Sequence, residues 1–138
     1  MGELPQNGNV DILILEDMPR INEQLVVELA SEYTIALAQS GEDLRTFLER
    51  GGHARCYFLD DVVPDRPGEN PERHFLENAR RVSRHCSHAS IVYVGSIPLV
   101  RERSFCREEG IPIIGLLVAD DIRQYVRARK REEQPGST

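Results

Sequence analysis

Apolar residues fall into two rhythms that alternate along the chain. Residues 10–15 (VDILIL) form a short, mostly apolar run rich in branched side chains, the pattern of a parallel strand covered on both faces. Pro19 suits the first turn of a helix, and Ile21, Leu25, Val26 and Leu29 then recur at helical spacing. Residues 33–38 (YTIALA) predict a second strand. Ser40 and Asp43 resemble a capping box for a helix with the apolar stripe Leu44, Phe47 and Leu48, and Gly51-Gly52 ends it. Residues 55–60 (RCYFLD) predict a third strand, and 61–70, with two prolines and a glycine, a loop. Asn70-Pro71 marks a helix start, with Phe75, Ala79 and Val82 on one face. A fourth strand over 90–95, a helix over 98–109 stopped by Gly110, a fifth strand over 111–117 and a last helix over 120–131 complete the pattern. Ile122, Tyr125 and Val126 are the inward positions of that last helix.

Five strands alternating with five helices predict an α/β fold, a doubly wound parallel sheet with helices on both faces. Right-handed crossovers leave few topologies, among them the flavodoxin-like order 2-1-3-4-5. In that order the first and third strands are neighbours at the switch point. Residues 10–131 make the single domain, flanked by an N-terminal extension (1–9) and a polar tail (132–138).

These two strands end in acidic pairs, Glu16-Asp17 and Asp60-Asp61. Parallel strands deliver their ends to one sheet edge, so the order gathers four carboxylates. Two unit charges about 4 Å apart repel by roughly 4 kcal/mol at an effective dielectric near 20. A divalent cation is the usual remedy, and carboxylates around Mg²⁺ are a common setting for phosphoryl chemistry.

Composition narrows the picture. The formal net charge of −6 argues against a nucleic-acid surface spread over the whole protein. No apolar stretch reaches the roughly 18 residues of a membrane span. The polar start MGELPQNGN lacks a signal peptide's basic and apolar regions, so a cytoplasmic protein is expected. Cys56, Cys86 and Cys106 form no disulfide framework and no paired metal motif. Lys130 is the only lysine among 17 cationic residues.

Taken together, these residues resemble the receiver domain of bacterial two-component response regulators, over roughly residues 10–130. Leu13-Ile14-Leu15-Glu16-Asp17-Met18-Pro19 resembles the family's strand followed by two acids, any residue, and proline. Asp60 is followed by Pro64 four positions on and by Gly68 eight positions on, the family's spacing around its phosphorylated aspartate. The resemblance implies that Asp60 is the phosphoacceptor. It also implies that Glu16, Asp17, Asp60 and the backbone carbonyl of Val62 hold Mg²⁺, and that a histidine kinase or phosphotransfer protein is the donor.

The departures from the family are specific. It places Thr or Ser at the end of the fourth strand, to bond a phosphoryl oxygen. Here Gly95 fits the interval back from Gly110 slightly better, while Ser96 carries the hydroxyl. The family's lysine on the fifth strand is replaced by Gly115 or Leu117, and its aromatic residue there by Ile114 or a neighbour. The segment between Asp60 and Ser96 is longer than usual, spanning 36 positions. Loss of the lysine predicts a raised pKa for at least one acid in the metal-free site. Arg101 or Arg103, on the following helix, is a candidate replacement cation.

The leading expectation is a stand-alone, non-enzymatic receiver that is phosphorylated on Asp60 with Mg²⁺ and signals through protein contacts. Its fourth helix, fifth strand and fifth helix would dock a downstream protein or a second copy, aided by basic residues such as Arg107, Arg123 and Arg127. The alternatives are a pseudo-receiver acting as a constitutive binding module and a small Mg²⁺-dependent phosphohydrolase using the same carboxylates.

Overall fold

A computed structural model describes residues 8–132. Most of the expected N-terminal extension and polar tail lies outside these residues. The core is a parallel sheet of β1 (Asn9–Leu15), β2 (Ile35–Ala38), β3 (His53–Asp60), β6 (Ser90–Val94) and β7 (Ile113–Ile114), in the order β2-β1-β3-β6-β7. Counting these strands alone, that is the predicted 2-1-3-4-5. Between β3 and β6, β4 (Val62–Val63) and β5 (Glu72–Arg73) pair as a small antiparallel hairpin. The helices are α1 (Pro19–Leu29), α2 (Gly41–Glu49), α3 (Phe75–His85), α4 (Val100–Glu109) and α5 (Ala119–Glu132).

Alternation along the central strands builds two cores. Leu13 and Leu15 of β1, Tyr57 and Leu59 of β3, and Tyr93 of β6 face α2, α3 and α4 through Leu44, Phe47, Phe75, Val82 and Cys106. Ile12, Ile14, Phe58, Val92 and Val94 face α1 and α5 through Leu25, Leu29, Ile122 and Val126. Each such fully buried side chain contributes roughly 1.5–3 kcal/mol. Covering both faces explains why these strands read as nearly continuous apolar runs.

The capping expectation at α2 holds in part. Ser40 Oγ accepts from the Asp43 N–H at 3.2 Å, while Asp43 accepts from Gln39 rather than from Ser40. The loop after β4 completes this helix start. Gly41 and Glu42 donate their N–H groups to the carbonyls of Pro64 and Asp65, at 3.0 and 2.7 Å. Arg45 and Asp65 add an ion pair at 2.8 Å. The loop that follows the acidic strand end is thus fastened to α2.

Several expected boundaries are corrected. The segment 61–70 is not all loop, because Val62 and Val63 pair with Arg73 and Glu72. That pairing keeps Asn70-Pro71 from opening a helix, and α3 begins at Phe75. The fifth strand, expected over 111–117, has only Ile113–Ile114 in register with β6, and the chain bends at Gly115 and Leu116. The second strand begins at Ile35 rather than at residue 33. On α1 the third inward position belongs to Asn22 rather than Val26, since Asn22 Nδ2 reaches the Glu16 carbonyl at 2.8 Å.

Candidate functional site

The carboxyl ends of β1, β3 and β6 open into a cleft of about 400 Å³. Glu16, Asp60, Asp61, Val62, Arg73, Tyr93, Ser96 and the 115–118 turn line it. Strand pairing places these groups. Leu15 is in register with Leu59, and Asp60 with Val94, so three successive strand ends meet. Glu16, Asp60, Val62 and Ser96, four of the positions that the resemblance singled out, all line this cleft. Asp17 stands beside them, its N–H donating to Glu16 Oε2 at 3.0 Å.

The acids respond to one another as crowding requires. Burial, the charge of Asp60 and a hydrogen bond to its carboxyl push Glu16 up to about 8. Burial also raises Asp60, against the lowering pull of hydrogen bonds from Glu16 and from the Val62 N–H, the latter at 3.1 Å from Oδ1. Near neutral pH the raised Glu16 keeps its proton, which relieves the repulsion from Asp60.

The donor set is entirely hard oxygen, the chemistry that suits Mg²⁺ rather than a softer metal. Glu16 and Asp60 are hydrogen-bonded to each other, and among the described residues no three His, Cys, Asp or Glu side chains are grouped as metal ligands. The donor chemistry is that of the ion, and holding it would require Glu16 to give up the proton that its raised pKa lets it keep.

Asp61, to which the family resemblance assigned no role, is the anchor of a buried polar network. It is 1% exposed, and its Oδ2 accepts from the Tyr93 hydroxyl and from Arg73 Nη1, both at 2.7 Å. Arg73 Nη1 also contacts Glu102 Oε1 at 3.1 Å and the Ile97 carbonyl at 3.0 Å. Glu102 in turn accepts from the Leu99 N–H at 2.7 Å, at the entry to α4. Burial, with Asp61 alongside, raises the Glu102 pKa. The cation in the lining is therefore Arg73, from β5, rather than Arg101 or Arg103, whose side chains are exposed on α4. Its signal in the sequence was the long segment after Asp60, which read as loop and turned out to carry a hairpin.

Tyr93 also packs against Gly95. A Cβ on Gly95 would lie 2.9 Å from Cε1 and 3.0 Å from the hydroxyl of Tyr93. The ring occupies the space that a side chain at position 95 would need, which leaves Ser96, exposed at the cleft rim, as the hydroxyl beyond the strand. Gly68, eight residues after Asp60, has φ +88°, so the spacing that singled out Asp60 coincides with a left-handed turn.

No family model matches the sequence, and no curated protein matches it. Solved structures do. The chain is similar to a response regulator receiver domain protein from Methanospirillum hungatei JF-1, with 15% identity, a TM-score of 0.72, and coverage of 91% of this chain and 98% of that one. The chain has the fold of the response regulator receiver domain. A two-component response regulator from Clostridium difficile agrees, with 17% identity, a TM-score of 0.71, and coverage of 89% and 97%. A structure described as adenylate cyclase from Rhodopirellula baltica shares the fold too, with 13% identity, a TM-score of 0.69, and coverage of 95% and 98%. At these identities the likeness concerns the receiver fold, and the chemistry must be argued from the cleft.

Proposed function

We propose that this receiver-fold domain accepts a phosphoryl group on Asp60 and passes the change on through protein contacts. The observation that carries the reading is the convergence of Asp60 with Glu16, Val62 and Ser96 at adjacent strand ends of one open cleft.

In the transfer, an oxygen of Asp60 forms the new P–O bond. The P–N bond of a phosphohistidine donor breaks, and its electron pair returns to the imidazole nitrogen. Phosphoryl transfer asks chiefly for positioning and charge neutralisation. The Val62 N–H fixes Asp60 Oδ1 and so orients the carboxylate. Glu16, Asp17, Asp60 and the Val62 carbonyl would hold Mg²⁺. When bound, the ion supplies positive charge that offsets repulsion between the carboxylates and the incoming phosphoryl oxygens. The Ser96 hydroxyl would donate to a phosphoryl oxygen. The donor would be a histidine kinase or phosphotransfer protein, and the domain itself would act as acceptor rather than as a turnover catalyst.

Output would run through α4, β7 and α5. Ile97, Val100, Ile113 and Leu116 are exposed apolar residues on this side, with Arg101 and Arg103 on the surface of α4. Exposed apolar residues with arginines beside them in sequence would suit an apolar partner surface bearing acidic groups. Among the described residues no helix is long and apolar enough to cross a membrane.

The test is incubation with acetyl phosphate and Mg²⁺ followed by intact-mass measurement. A gain of one phosphoryl group, absent in Asp60→Asn and absent when Mg²⁺ is chelated, is expected. No gain in the wild type under saturating donor would leave the constitutive binding module as the better account.

A further inference from the structure

Arg73 is held in an unusual way. Three acceptors, Asp61 Oδ2, the Ile97 carbonyl and Glu102 Oε1, lie 2.7, 3.0 and 3.1 Å from the same nitrogen, Nη1. An Nη carries only two N–H bonds, so these acceptors share donors and none of the two weaker ones is secured alone. Among the described residues no hydrogen bond engages Nη2 or Nε, and 34% of the side chain is exposed. Two buried acids hold the guanidinium, Asp61 at 1% and Glu102 at 2% exposure, and Asp61 Oδ1 is itself buried without a partner among the described residues. The result is a planar cation fixed at one corner, with its other donors uncommitted, in the lining of the cleft that holds Asp60 and Ser96.

A guanidinium in that state matches a tetrahedral oxyanion, which it can bind through two parallel N–H bonds. Movement toward such an anion must also stretch the two longer contacts of Nη1. Both belong to the start of α4. Ile97 lies in the loop before it, and Glu102 closes its first turn on the Leu99 N–H.

We propose that Arg73 is the anion-binding group of this cleft, and that an oxyanion on Asp60 draws it off Glu102 and the Ile97 carbonyl, loosening the first turn of α4. The inference rests on the reading of Asp60 as phosphoacceptor. It places the coupling between site and surface in the β4–β5 hairpin and α4, next to the exposed Ile97 and Val100.

The test uses the full chain with Mg²⁺ and beryllium fluoride as the phosphoryl mimic, followed by NMR titration. Wild-type binding should be saturable. Arg73→Gln should weaken it at least tenfold, and Arg73→Lys should recover part of the loss. Mg²⁺ alone should bind Arg73→Gln no more weakly than wild type, because a positive charge has been removed near the acids. General damage to the cleft would weaken both ligands. Hydrogen exchange at the Leu99 amide should quicken on adding the mimic to wild type and stay unchanged in Arg73→Gln. Should Arg73→Gln fail to fold, Glu102→Gln replaces it. That variant relaxes the grip on Arg73 and should bind the mimic several-fold more tightly. Equal affinity of wild type and Arg73→Gln, or of wild type and Glu102→Gln, overturns the role of Arg73 while leaving Asp60 as acceptor. No binding by wild type removes the acceptor reading, and this inference with it.

Discussion

Replacing Tyr93 by Phe isolates one bond in the network beneath the cleft. Phenylalanine keeps the ring, and so keeps its edge-to-face packing on Phe75 at 4.7 Å between centroids. Only the hydroxyl, 2.7 Å from Asp61 Oδ2, is lost. Burial, the hydrogen bond and the charge of Asp61 hold the Tyr93 phenol well above its ordinary pKa, so it remains a donor at every working pH. A hydrogen bond to a charged group is worth roughly 1.5–3 kcal/mol. Two circumstances favour the middle of that range or above. Asp61 is 1% exposed, so water cannot replace the lost donor. Its other oxygen, Oδ1, already lacks a partner among the described residues. We expect a loss of about 2 kcal/mol in urea unfolding, with an unchanged m-value. For a domain of this size that corresponds to a melting point lower by roughly 6–10 °C. In the Asp61→Asn background the same substitution should cost less than about half as much, since a neutral amide accepts more weakly. A cost below about 0.5 kcal/mol in the wild-type background would refute the claim that Asp61 is a buried, charged anchor.

Three further outcomes are expected. In metal-free buffer, stability should fall as pH rises from about 4.5 to about 8, because the folded state keeps a proton on Glu16 that the unfolded chain releases above its ordinary value of 4.5. The effect is fully present as stability below the unfolded pKa and lost through the folded one, and Glu16→Gln should flatten the urea-midpoint profile over that window. Gly95→Ala should destabilise by about 1–3 kcal/mol through its clash with the Tyr93 ring, and most of that cost should vanish, in thermal melts, when Tyr93 is trimmed to Leu. Asp65→Asn should cost no more than about 1 kcal/mol, since the Arg45 pair is partly exposed. A larger loss on chemical denaturation would mean that the loop's hold on α2 depends on this pair rather than on the Pro64 and Asp65 carbonyls.

The sheet and its order were legible because each central strand is buried on both faces. Ile12, Ile14, Phe58 and Val92 have no polar alternative to the interior. Glu16 and Asp60 were legible because acids directly after such strands have one place to go, the common edge. Arg73 was not, since it acts through a two-residue pairing of Val62 with Arg73 that no periodicity announces. Asp61 was hidden for a different reason. Beside Asp60 it read as a surplus charge in a turn, and only its partners, Tyr93 from 32 positions away and Arg73, show that it points into the core. The short fifth strand escaped for the opposite reason. Residues 111–117 are apolar enough for a full strand, but Gly115 follows Ile114 and the chain turns away.

That short strand has a kinetic consequence. At this edge the sheet is closed by the Tyr93 N–H on the Pro112 carbonyl and the Gly95 N–H on that of Ile114, both at 2.9 Å. A ladder this brief is the cheapest part of the sheet to unzip, so the domain should open first along β7 and last at β1 and β3. The opening unit adjoins the exposed Ile97 and Leu116, so the face proposed above for docking should also be the one that opens most readily. A partner seated there would act as a clamp, slowing amide exchange at Tyr93 and Gly95 more than anywhere else in the sheet.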